Sequence, residues 1–240
     1  MANMIDYRLT PLGSLLEEIK YDNQLVKKRV ATEIMNAWNT GSHIDRMGRL
    51  WVNDVSLPSI LRTSYANVRY SIAGLNREEV YRDHDNVYVR GDAVQQMISY
   101  NLQNAGLIRR EHYLRLSEIY LIAARDSDFA RTIRAEAYEN LNQQKKKLKR
   151  QRLNSIGHFR DELTNYTYLS DTEFSHIRSV ALYPELALFI ENGLIVHTST
   201  HRIITNARVN DENELYDVCR ENQWNTDWYD TFKNFINFVY

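Results

Sequence analysis

Phe174-Ser175-His176-Ile177-Arg178 opens the stretch that decides the reading of this chain. It continues, after a short loop, as Tyr183-Pro184-Glu185-Leu186-Ala187-Leu188-Phe189-Ile190-Glu191-Asn192-Gly193-Leu194-Ile195-Val196-His197-Thr198-Ser199-Thr200-His201. Asn192-Gly193 between apolar runs is a tight-turn signal, and Leu194-Ile195-Val196 reads as a strand. An earlier strand, approached through Tyr166, Tyr168 and Phe174, ends at His176. Thr198, Ser199 or Thr200 caps a short helix and places His201 in its first turn. Strand, loop, strand and helix therefore follow one another, with His176, Asn192 and His201 at the junctions.

Taken singly, Asn192 is a turn asparagine and His201 an ordinary histidine at a helix start. Together they suit hydrolysis of a phosphodiester. That reaction needs a base to activate water and a cation to offset the charge on phosphorus and the leaving oxygen. Histidine has the ordinary pKa nearest neutrality, so a neutral His176 can take the proton.

The pattern resembles the HNH (ββα-metal) endonucleases over residues 165–210. In that family an ionisable residue and His precede an apolar residue, a "PEL" loop, "N-G", an apolar strand and "C-x-x-C-H". The resemblance implies a ββα-metal domain in which His176 is the general base and Asn192 ties the loop and orients it. His201 is implied as a metal ligand, with Ser175 in the second ligand position, where the family commonly carries Asp or His. His197 and Thr200 stand where the family has its structural cysteines, and Thr205 where a further histidine is common. The expected cofactor is a divalent cation, Mg²⁺ or Mn²⁺, with Glu173 or Asn206 as helpers. Structural zinc is not expected: His197 and His201 have no third and fourth ligand beside them. Arg178 or Arg202 is expected to steady the phosphate. Ser175 and Thr205, as departures from the pattern, leave a second expectation open, a DNA-binding regulator carrying a degenerate HNH domain.

Upstream, Lys145-Lys146-Lys147-Leu148-Lys149-Arg150-Gln151-Arg152 closes a helical stretch that begins near His112. So many cations exceed what a helix C-terminus needs. Lys145, Lys146, Lys149 and Arg150 are either phosphate contacts or the solvated face of an interdomain helix. Within the stretch, Asp126 or Ser127 caps the second of two helices. Tyr113-Leu114-Arg115-Leu116-Ser117-Glu118-Ile119-Tyr120 through Phe129-Ala130-Arg131 resembles the Bro-N/KilA-N domains of phage antirepressors.

Between Arg49 and Gly106 shorter elements alternate. Leu50-Trp51-Val52 and Val87-Tyr88-Val89 read as strands, and Leu57 to Tyr70 as one helix or two joined by a turn. Asp92 caps a helix over Ala93 to Leu102. With Arg62, Arg69, Arg82 and Arg90 interspersed, the segment suits either a DNA-reading domain of winged or helix-turn-helix type or a plain α+β core with arginines outside. Arg62 and Arg69 are the candidate DNA contacts. At the start, Ser14 and Glu17 form a capping box for a helix carrying Leu15, Leu16, Ile19, Val26, Val30, Ile34 and Trp38, which Gly41 ends.

The expected fold class is α+β: a mainly helical N-terminal DNA-binding region with short strands, then the ββα domain. Boundaries are drawn at 1–40, 41–152 and 153–240. A hydrophobic content of 43% is enough for packed cores. Residues 161–240 hold thirteen acidic residues against five basic ones, so the rest of the chain is net basic although the whole is −1. That asymmetry suits a basic part gripping a polyanion. Cys219 is the single cysteine, which excludes a disulfide framework. No apolar run is long enough for a membrane span, and Met1 to Asp6 lacks a signal pattern, so a cytoplasmic protein is expected. Trp224, Trp228, Tyr229, Phe232, Phe235, Ile236, Phe238 and Tyr240 read as one or two core-packing helices. The expected function is sequence-specific cleavage of double-stranded DNA, with no membrane partner, by a monomer or homodimer.

Overall fold

The computed structural model describes residues 7–13, 16, 19–157, 160–167 and 171–240. Ser14, Leu15, Glu17 and Tyr168, which carry part of the N-terminal helix and first-strand expectations, lie outside them. The chain is α+β, 57% helical, with two small antiparallel sheets. It divides into two compact units, Tyr7–Ala137 and Tyr138–Tyr240, so the division falls between 137 and 138 rather than at 40 and 152. Among the described residues no helix is long and apolar enough to cross a membrane.

The first unit begins with β1 (Thr10–Pro11), α1 (Lys28–Gly41), β2 (Ser42–Ile44) and β3 (Leu50–Asn53). A pair of helices follows, α2 (Leu57–Leu61) and α3 (Tyr65–Ala73), then the hairpin β4 (Val80–Asp83) and β5 (Asn86–Arg90). The helices α4 (Gly91–Gln103) and α5 (Ile108–Arg125) and the start of α6 (Asp128–Ile156) complete it. Its strands form one antiparallel sheet in the order β1-β2-β3-β5-β4. Alternation along the strands sends Ile44, Leu50, Val52 and Val89 into a core shared with Ile34, Trp38, Ile60, Ile98 and Leu121. Each fully buried side chain of this size contributes about 1.5–3 kcal/mol. The opposite register positions, Trp51, Tyr81 and Tyr88, carry an aromatic cluster in which Tyr7 packs on Trp51 and Tyr81 at 4.8 Å.

Several expectations change here. Among the described residues the first α-helix starts at Lys28, because Asp22 builds a turn: its carboxylate accepts from Gln24 N and its carbonyl from Val26 N. Leu57 to Tyr70 is two helices, separated by Arg62 in the left-handed conformation (φ 51°). Asp92 does not cap α4; it lies in the first turn and pairs with Arg90 at 2.7 Å. Ser127, of the two residues proposed, accepts from Ala130 N at the head of α6.

The second unit contains the rest of α6, then β6 (Thr172–His176), β7 (Gly193–His197), α7 (Thr198–Asn206), α8 (Glu212–Glu221) and α9 (Trp228–Val239). β6 and β7 pair antiparallel, with His176 opposite Gly193. Residues 177–192 connect them through single helical turns at Pro184–Leu186 and Ile190–Asn192, so Asn192-Gly193 is not a tight hairpin. Gly193 is extended (φ −159°), and its lack of a side chain serves packing: a Cβ there would sit 2.0 Å from the Phe174 ring. Trp228, Phe232 and Ile236 are buried along α9 as the sequence suggested, with Val239 beside them, whereas Phe238 is exposed.

Candidate active site

His176 is the last residue of β6, and its ring packs edge-on against Phe174 at 5.0 Å. Nε2 lies 3.0 Å from the carbonyl oxygen of Ala187, which lies in the long β6–β7 connection. A carbonyl can only accept, so this contact assigns the proton to Nε2 and leaves the lone pair on Nδ1. Burial pushes the His176 pKa below the ordinary value; the Ala187 bond opposes this, and positive charge at Lys145 and His201 adds to it. The imidazole is therefore neutral at neutral pH, with Nδ1 as its acceptor.

Asn192, fully buried, holds the loop on which Ala187 sits. Its Oδ1 accepts the Arg178 N–H at 2.9 Å, and its Nδ2 donates to the carbonyls of Arg178 (3.1 Å) and Leu186 (3.2 Å). Its own carbonyl accepts from Ile177 N at 3.0 Å. One side chain thus fixes both ends of the connection and, through Leu186, the neighbour of the carbonyl that orients His176.

His201 lies in the first half of α7, half-buried, with Nδ1 in hydrogen-bond contact with Oε2 of Glu173 on β6. A carboxylate accepts, so the geometry places the His201 proton on Nδ1 and leaves Nε2 as a donor atom for a cation. α7 is capped by His197, whose Nδ1 accepts from Ser199 N at 3.2 Å, rather than by Thr198, Ser199 or Thr200. Ser175, in the expected second ligand position, is 2% exposed. Among the described residues no three His, Cys, Asp or Glu side chains gather into one cluster. In the Glu173–His201 pair, His201 Nε2 is the nitrogen left to meet a cation, with the Glu173 carboxylate behind it on the Nδ1 side. A divalent cation that keeps most of its waters fits such a sparse set.

The cations foreseen from sequence separate into different places. Lys145 acts electrostatically on His176, and Lys149 donates to the Thr172 carbonyl at the start of β6, so the basic part of α6 flanks the strand that carries the base. Lys146 and Arg150 are exposed on the same helix, and Arg202 is exposed on α7. Arg178, by contrast, is a correction. It is 7% exposed, is bound by Glu212 through two hydrogen bonds (2.6 and 2.9 Å), and lies over the Tyr183 ring at 4.6 Å. A guanidinium committed in this way holds the fold rather than a phosphate. In the first unit, Arg62 pairs with Glu33 at 2.8 Å at the turn between α2 and α3, and Arg69 is exposed on α3.

Asp161 was not foreseen. It is 1% exposed and accepts four hydrogen bonds: from Leu163 N and Thr164 N (both 2.9 Å), His197 N (2.7 Å) and the Thr200 hydroxyl (2.8 Å). Its carboxylate joins the segment before β6 to the end of β7 and the head of α7, which sets where His201 points. Its bonds to Leu163 and Thr164 make an ordinary local turn, and no local motif marks the two that join elements, whose partners His197 and Thr200 lie far along the chain.

Compared with known protein families, characterised proteins and solved structures, the chain matches none.

Proposed function

We propose that the chain is a metal-dependent DNA endonuclease of the HNH (ββα-metal) kind, its second unit carrying the chemistry and its first unit finding the site. The observation that carries this reading is the Asn192–Ala187–His176 arrangement. A buried asparagine fixes a long strand connection whose carbonyl sets one imidazole tautomer, and burial keeps that imidazole neutral.

In this reading Nδ1 of His176 takes a proton from the attacking water as it approaches phosphorus in line with the leaving oxygen. Glu173 holds His201 so that Nε2 faces the site, and His201 would hold the cation there. When bound, a divalent cation supplies electrostatic stabilisation of the charge that builds on the phosphate and leaving oxygen. Lys145 adds positive charge at the same place, and Lys146, Lys149, Arg150 and Arg202 are the further phosphate contacts. A single such site cuts one strand, so a monomer nicks.

A second reading has a specific observation behind it. Ser175 is buried, and the donor set reduces to His201 with Glu173 behind it, which favours a DNA-binding regulator whose nuclease unit has lost its activity. Supercoiled plasmid separates the two. Relaxation or linearisation that needs both Mg²⁺ and His176, and fails in EDTA or with His176→Ala, supports the nuclease. Salt-sensitive binding without any cutting supports the regulator, and no DNA affinity at low salt rejects both.

A further inference from the structure

The first unit contains a helix that the fold holds out rather than packs in. α3 is anchored at its head by the Ser64 hydroxyl accepting from Asn67 N (3.3 Å) and by Tyr65 donating to Asp54 (2.8 Å). Along its length only Val68 and Ile72 are buried. Ala66, Asn67, Arg69, Tyr70, Ser71 and Ala73 are all exposed, and Tyr70 is 85% so. An ordinary surface helix buries a broad apolar stripe; this one keeps the two residues that attach it.

The elements around it are those of a winged helix. Helix, turn and helix (α2, Arg62 to Ser64, α3) lie between β3 and β4 in sequence, and the β4–β5 hairpin returns to pair with β3 in the order β3-β5-β4. In helix-turn-helix proteins the second helix is the one presented to the major groove.

The charge pattern points to the occupant. From Leu57 to Asn76 there is no acidic residue, in a chain with 31 of them, and the charges there are Arg62 and Arg69. Arg62 is held by Glu33 and lies 5.7 Å from the Tyr113 ring, whereas Arg69 projects from α3. Helical geometry places Ala66, Tyr70 and Ala73 opposite the buried pair, with Asn67 and Arg69 on either side. Small residues in the middle of that face admit close approach. Arginine and asparagine match the edges of guanine and adenine, and alanine methyls match thymine. The hairpin tip, Asp83-His84-Asp85, is exposed and acidic, which keeps phosphate away from the wing and leaves recognition to the helix.

We infer that α3 is the base-reading helix of this protein, entering the major groove of double-stranded DNA with Asn67, Arg69 and Tyr70 toward the base edges. The inference rests on the DNA reading proposed above and adds which surface selects the sequence.

The test is a selection from duplex DNA with a random core, made with the full chain in EDTA so that binding is read without cutting. The wild type is expected to enrich a defined motif. Arg69→Ala and Tyr70→Ala, both at exposed positions, are expected to bind that motif about tenfold to a hundredfold less well and to relax preference at particular bases. Their circular dichroism and melting should match the wild type. No enriched motif, or variants that enrich the wild-type motif with wild-type affinity, overturns the inference. Plasmid cutting in Mg²⁺ is scored separately: an enriched motif without cutting supports the reading helix while rejecting the nuclease, and cutting without a motif does the reverse.

Discussion

Asn192 closes on the Arg178 peptide from both sides, its Oδ1 on the N–H at 2.9 Å and its Nδ2 on the carbonyl at 3.1 Å. The side chain thereby acts as a strand partner for a segment that has left the sheet. Replacement by alanine strands those buried backbone groups at a cost of about 1–3 kcal/mol. Asn192→Ala should therefore lower the urea midpoint, and in the nuclease reading it should depress kcat even under conditions where the protein remains folded. Unchanged stability would remove the basis for its role.

The His176 imidazole titrates below the ordinary histidine value because burial penalises its charged form, with Lys145 and His201 adding to the effect. Activity that needs the neutral ring should therefore persist to lower pH than an exposed histidine would allow. Lys145→Gln removes a positive charge, raises that pKa and should move the acid limb of the rate profile to higher pH. The native state also binds this proton less readily than the unfolded chain, so lowering pH through this range costs stability. Plasmid nicking against pH, with proton NMR of the His176 ring, measures both.

Glu173 fixes the His201 ring through Nδ1. An orienting carboxylate of this sort is typically worth about 10–100-fold in metal affinity. Glu173→Gln should accordingly raise the Mg²⁺ concentration needed for half-maximal cutting while leaving the melting temperature nearly unchanged. Equal Mg²⁺ dependence in the two proteins would exclude Glu173 from the site.

Arg178 and Glu212 form a buried ion pair, and Lys233 approaches the same carboxylate at 3.3 Å. Burial raises the Glu212 pKa, but Arg178 and Lys233 overcome it and hold the carboxyl below its ordinary value. Its contribution is complete at neutral pH and is lost as pH falls through the lowered native value. Glu212→Leu leaves a buried guanidinium alone and should cost about 3–5 kcal/mol, whereas the double change with Arg178→Met should recover much of that loss. Denaturant unfolding of the two variants at neutral pH checks the cycle.

The candidate site was legible where chemistry and local pattern coincide. His176 at a strand end, Leu194 to Val196 as a strand and a helix after His197 are all local features, and each was read from a few neighbouring residues. What escaped depends on distant partners. Arg178 was read as a surface cation because nothing near it in sequence announces Glu212, which lies on α8. Asp161 bonds to residues on β7 and α7, and no spacing rule links them. Gly193 followed Asn192 and so suggested a tight turn, when the close ring of Phe174 is what excludes a side chain there. In the first unit β3 and β5 were visible as short apolar runs, but β1 and β2 are too short to show a period.

The Asp161 carboxylate has a further consequence, in the conditions under which this unit keeps its shape. A staple made of hydrogen bonds to His197 N and the Thr200 hydroxyl works through nitrogen and oxygen atoms rather than sulfur. The one cysteine, Cys219, is buried, and burial pushes its thiol up to about 11, which keeps it poorly reactive towards oxidants. Oxidation of sulfur therefore does not reach the bonds that close the junction between β7 and α7.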